Sequence, residues 1–302
     1  FAELNGSLNN QANLGDLNSD THDNMQVFKL LNSITNSSKK LKKFIKSPSK
    51  ISYVKWSSFG RAIGDSISQG FNNTTLEVSK MFGNAIGAIR WRKGYLYDDE
   101  NVLADMMDKL RPLDFLTEKT PFILTDFFIP GHWGHAALYL GTEEQLKEIG
   151  MWNHPDIKPY QEQIRDGYVV LEAVRPKTKL SKLEHFMNVD EVAIYRVKAQ
   201  KSKNYYTGAY HRALIQMDKL YDFNFDVETL DKIVCSELIF DTFGEISWLT
   251  KFVFGRDKIT PDQVATILFY KDSPIELVDY IVGLEKGDYQ FRSKEDLAKN
   301  MG

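Results

Sequence analysis

The feature that most restricts how this chain can fold is a change of texture at Arg111, where helical periodicity gives way to short β-type runs separated by turn residues. Upstream, Val102, Leu103, Met106, Met107 and Leu110 recur at helical spacing, and Asp98-Asp99-Glu100 places acids where a helix dipole favours them, so 98–110 is predicted as a helix. Downstream, residues 115–116, 121–124, 136–140, 168–171 and 192–197 carry the β-branched and aromatic character of strands. Helical spacing returns over 204–220 and 234–243, with a turn at 221–226, and Thr260-Pro261-Asp262 opens another helix with Thr as N-cap and Pro in the first helical position. Helices, then strands, then helices is the order of an α+β fold.

Three regions follow from the same reading. Residues 1–50, scattered with Asn, Gly and Ser, read as a flexible lead-in that ends in the basic run Lys39-Lys40-Leu41-Lys42-Lys43-Phe44-Ile45-Lys46. That run suits either a solvated face or contact with an anionic membrane surface. Residues 51–109 form a glycine-punctuated helical region, and 110–302 a catalytic-looking domain expected to end in helices. Lys and Arg number 38 against 41 Asp and Glu, so no global positive field exists to hold a polyanion and nucleic acid is not an expected partner. The apolar-leaning run 81–89 is too short and too rich in glycine to span a bilayer.

The chain has a single cysteine, which excludes an internal disulfide framework and any metal site built on several thiolates. If Cys235 matters, it matters by reactivity. A thiol attacks as the thiolate, a form favoured by a helix N-terminus and a neighbouring histidinium, and Cys235 falls where a helix is predicted to begin. His135 opens a predicted strand, a rigid mount from which an imidazole can act as base. Glu172 ends the strand 168–171, where a buried carboxylate demands a partner and can fix the imidazole's orientation. His132 and His135 also invite a zinc reading with Cys235, but the further ligands such a site needs are not supplied, so no metal or cofactor is expected. His22, His154, His185 and His211 read as surface residues.

Two stretches, Gly131-His132-Trp133-Gly134-His135-Ala136-Ala137-Leu138-Tyr139-Leu140-Gly141 and Tyr221-Asp222-Phe223-Asn224-Phe225 followed by Val234-Cys235-Ser236-Glu237-Leu238-Ile239, resemble the permuted papain-like amidases of the YiiX/YaeF type, within the NlpC-like thiol hydrolases. The resemblance runs from about Leu110 to Gln263. It implies a circularly permuted papain-like fold, an antiparallel sheet packed on helices, with chain order His135, Glu172, Cys235 and the helical region 51–109 as an N-terminal extension. It also makes Tyr221 and Asp222 candidates near the nucleophile, where a phenol could donate to an oxyanion, although a structural aromatic fits Tyr221 equally well. Trp133 and Ser236, beside the dyad in sequence, are further candidate substrate or oxyanion contacts, while Ser236 and Glu237 suit capping and charging the helix better. The insert between His135 and Glu172 is expected to overlie the cleft.

The activity implied is a cysteine hydrolase cleaving a peptide or peptidoglycan-like amide. Alternatives are a lipid-amide or ester acyl hydrolase or acyltransferase on the same fold, and a binding or scaffold protein without activity. By family analogy the expected location is the bacterial periplasm or cell envelope, with a lipid anchor as one option.

Overall fold

A computed structural model describes residues 90, 92–123, 126, 131–198, 202–221, 232–253 and 256–302. The lead-in 1–50 with its basic run, most of the helical region expected over 51–109, and Asp222 lie outside the described residues. The chain divides into two compact units, one of residues 1–92 with 121–129 and one of residues 93–120 with 130–302. In the first, the guanidinium carbon of Arg92 stands 4.6 Å from the Phe122 ring centroid, and Arg90 bridges Ile123. The strand expected at 121–124 is, over its described part, a turn that ends on that single bridge. Pro121 has no N–H to give a ladder, and Pro is found in sheets only at edges or strand starts.

The second unit carries, in chain order, α1 Glu100–Lys109, β1 Phe115–Lys119, β2 His135–Tyr139, α2 Glu143–Glu148, α3 Gln161–Arg165, β3 Tyr168–Glu172, β4 Lys179–Lys182, α4 Leu183–Phe186 and β5 Glu191–Val197. It continues with α5 Lys203–Leu214, β6 Leu220–Tyr221, β7 Lys232–Ile233, α6 Cys235–Thr242, β8 Lys251–Val253, β9 Arg256–Lys258, α7 Pro261–Thr266, β10 Ile275–Glu285, β11 Asp288–Phe291 and α8 Lys294–Met301. Seven strands make one open sheet in the order β11-β10-β5-β1-β2-β3-β4, every neighbouring pair antiparallel. The short β6 and β7 pair in parallel, which sets Tyr221 opposite Ile233. This is the α+β architecture expected from the order of elements.

Local chemistry accounts for the element ends. Asp99 caps α1 by accepting the N–H groups of Asn101 and Val102, and Thr260 caps α7 through a reciprocal box with Gln263. The helix predicted over 204–220 stops at Leu214, because residues 215–218 turn and Asp218 enters the left-handed region at φ 63°. Asp tolerates that region better than most side chains. Phe115 of β1 stacks on Tyr195 of β5 with ring centroids 5.0 Å apart, and Phe243, just beyond α6, meets Phe115 at 6.0 Å. These buried aromatics hold α6 against the sheet, where it packs on β2. The helix that begins with Cys235 is thereby seated beside the strand that begins with His135.

The insert between β2 and β3 does not overlie that region. Pairing Leu138 with Leu171 and Tyr139 with Val170 puts His135 and Glu172 at one end of the two strands and the insert at the other. It folds there as α2 and α3, with Trp152 buried beneath the Arg165 guanidinium at 5.1 Å.

Candidate active site

His135 is the first residue of β2 and Glu172 the last of β3, so antiparallel pairing brings them together although 37 positions separate them. The imidazole Nε2 lies 3.1 Å from Glu172 Oε2, and the two side chains retain 13% and 11% of their surface. With Nε2 engaged by the carboxylate, Nδ1 is the nitrogen left to meet the sulfur. Cys235 acts electrostatically on the same ring. Thus the imidazole is bonded to the carboxylate and feels the thiol of the three residues singled out by sequence.

Electrostatics binds these groups together. Burial alone would pull His135 below its ordinary value, but the charge and hydrogen bond of Cys235, followed by the Glu172 hydrogen bond, raise it well above. Burial would likewise push Glu172 up, and the hydrogen bond and charge of His135, with the Ser181 hydroxyl, hold it below the usual carboxylate range. Each ionised form is stabilised by the other. Ser181, on β4, is a member of the site that sequence reading missed. Its strand is only four residues long, and Lys179-Leu180-Ser181-Lys182 has a single strongly apolar residue to announce it.

Cys235 is the first helical residue of α6, as the pattern predicted, and is buried and unpaired in any disulfide. Glu237 reaches back so that its Oε2 accepts the Val234 N–H at 3.0 Å, which caps the helix ahead of the thiol. Ser236 does not share that capping. It is buried and donates its hydroxyl to the Ile259 carbonyl at 2.6 Å, so its proton is committed to the backbone rather than offered to substrate. Trp133, a candidate contact by sequence, has no exposed surface and meets the His132 and Tyr280 rings edge-on at 4.6 and 5.9 Å. Its role is core packing, because a side chain without accessible surface has no face to present to a ligand. Tyr221 is half-buried next to β7, with the Arg175 guanidinium 5.9 Å from its ring.

His132 and His135 turn to different partners. His132 Nε2 faces Glu191 Oε2 on β5 at 3.0 Å, and Glu191 also accepts from the Tyr280 hydroxyl, whereas His135 faces Glu172 on β3. The two rings therefore do not converge on one point. His185 and His211 are exposed and His154 is half-buried, with His154 and His211 both directed at Asp156.

The second unit has an open antiparallel sheet and a helix that begins at a thiol, the features that the resemblance to permuted papain-like thiol hydrolases implies. Residues 110–286 match the family of permuted papain-like amidase enzymes, YaeF/YiiX, C92, and the chain belongs to that family. No curated protein and no solved structure matches it.

Proposed function

We propose that this protein hydrolyses an amide bond through a covalent thioester on Cys235, with His135 as general base and acid and Glu172 as the group that orients the imidazole. The observation that carries this reading is the His135 imidazole held 3.1 Å from Glu172 and raised well above its ordinary value by the influence of Cys235. Sγ, its proton passed to His135, attacks the carbonyl carbon and forms a C–S bond. The negative charge that develops on oxygen is met by the N–H of Cys235, because the first N–H groups of a helix have no partner within it. Collapse of the tetrahedral intermediate breaks the C–N bond, and His135 protonates the departing amine. Water, deprotonated by the same ring, then attacks the thioester and releases the acid and the thiol.

The substrate proposed is a peptide or peptidoglycan-like amide, by family membership. The test is mass spectrometry of the intact protein quenched during turnover of short peptides and, separately, of short-chain acyl esters. A mass increase on Cys235 equal to the acyl part of the peptide, absent in Cys235→Ala, is the expected result. Turnover of esters alone would remove the amide reading, and turnover that survives Cys235→Ala would remove the nucleophile.

A further inference from the structure

The segment 259–262 bonds residues that neighbour each half of the dyad in sequence. On the nucleophile side, the Ser236 hydroxyl, one residue past Cys235, donates to the Ile259 carbonyl at 2.6 Å. On the base side, Asp262 accepts two backbone N–H groups, from His132 at 2.9 Å and from Trp133 at 2.7 Å, just before His135 enters β2. Between these contacts the segment has little freedom. Thr260 Oγ1 accepts the Gln263 N–H at 3.2 Å, Gln263 Oε1 accepts the Thr260 N–H at 2.9 Å, and the Pro261 ring fixes its own φ.

Gly131 shows how closely the carboxylate is seated. A Cβ there would stand 2.2 Å from the carboxyl carbon of Asp262, and its φ of +120° is one that side-chain-bearing residues rarely adopt. Three features of the sequence, a glycine, an aspartate and a serine, thus serve one junction. Hydrogen bonds from N–H groups to an ionised carboxylate are about twice as strong as neutral ones, so the Asp262 tie is the stiff end of the link.

We propose that residues 259–262 form a clamp that sets the separation of Cys235 and His135, with Asp262 and Ser236 as its two positioning residues. The proposal rests on the Cys-His reading above. The links act in series, from the turn before His135 through Asp262 and the backbone to Ile259, then through Ser236 to Cys235. Opening either one releases the same constraint. Misplacing reacting groups by about 1 Å costs on the order of 100-fold in rate, so partial release should cost about tenfold.

The test is the rate of Cys235 alkylation by iodoacetamide at pH 6 in the full chain, where an ordinary thiol is only about one part in 300 ionised. Cys235 is the only thiol, so label incorporation reads this site alone. Asp262→Asn and Ser236→Ala are each expected to slow labelling about tenfold relative to the native protein. The double variant should be no slower than the slower single one, and Ser236→Thr, which keeps the hydroxyl, should label at the native rate. A role confined to stability would lower the melting temperature and leave labelling of the folded protein unchanged. Native-rate labelling of folded single variants, or effects that multiply in the double variant, would overturn the clamp while leaving the dyad intact. Should Asp262→Asn fail to fold, the Ser236→Ala and Ser236→Thr pair decides, with equal native rates overturning the clamp. Slow labelling of the native protein would remove the dyad and the clamp together.

Discussion

Glu172→Gln replaces a carboxylate by an amide of the same shape and leaves an oxygen within reach of His135 Nε2. What is lost is charge. Because the pair is nearly buried, with 11–13% of each side chain exposed, solvent screens it little. A hydrogen bond to a charged group is worth about 1.5–3 kcal/mol and a neutral one about 1, so removing the charge costs about 0.5–2 kcal/mol of imidazolium stability. This lowers the His135 titration midpoint and, at about 1.4 kcal/mol per tenfold, amide turnover by about 2- to 30-fold. The sign follows from the cause, since Glu172 is among the groups that raise His135 and its removal must bring the midpoint down. The assay is a proton NMR titration of the histidine ring resonances, tractable because the chain has six histidines. An unchanged His135 midpoint in a folded Glu172→Gln protein would refute the claim that this carboxylate stabilises the charged ring.

Other expectations are equally open to measurement. Phe243→Ala removes a fully buried ring that meets Phe115 below α6, and urea unfolding should show a loss of about 3–5 kcal/mol with an unchanged slope. Gly131→Ala forces a Cβ to 2.2 Å from the Asp262 carboxyl carbon and should lower the thermal midpoint, whereas Gly150→Ala, which meets nothing within 4 Å, should lower it only through its own backbone strain. Stability should fall toward both ends of the pH range. Glu172 and Glu191 are held below 4.5, so their contribution is present above that value and is lost as pH drops through the depressed ones. His135 is raised above 6.5, so its contribution is present below that value and is lost as pH climbs through the elevated one. Urea midpoints that rise without a maximum from acid to alkaline pH would contradict the His135 assignment, and midpoints that fall throughout would contradict the two glutamate assignments.

The parts of the fold that could be read in the sequence were those whose signal is local. The helix from Cys235, the strands at 115–119, 135–139, 168–172 and 191–197, and the capped start of α7 each follow from periodicity or from a cap residue within a few positions. Between the C-terminal helices α7 and α8, where helices alone are expected, stands β10, whose register shifts between Leu277 and Asp279 and interrupts the alternation that marks a half-buried strand. At the site, His135, Glu172 and Cys235 stood out by residue type at element ends. For Trp133 and Ser236, adjacency in sequence says little about direction. Neighbours on strands and helices point to different sides, and here one enters the core while the other bonds Ile259. Ser181 and Asp262 contribute through pairings made only by tertiary folding, with Glu172 and with the turn at 132–133. Nothing near them in sequence reports those pairings.

The account turns on a thiol kept reactive by an imidazole from 100 positions earlier in the chain (235 − 135). Its most direct test compares iodoacetamide alkylation of the native protein with that of His135→Ala at pH 6, with both folded as judged by circular dichroism. The account expects rapid labelling of Cys235 in the native protein and labelling at least about tenfold slower without the imidazole, as ion pairing between thiolate and histidinium requires. Equal rates in the two proteins would contradict it.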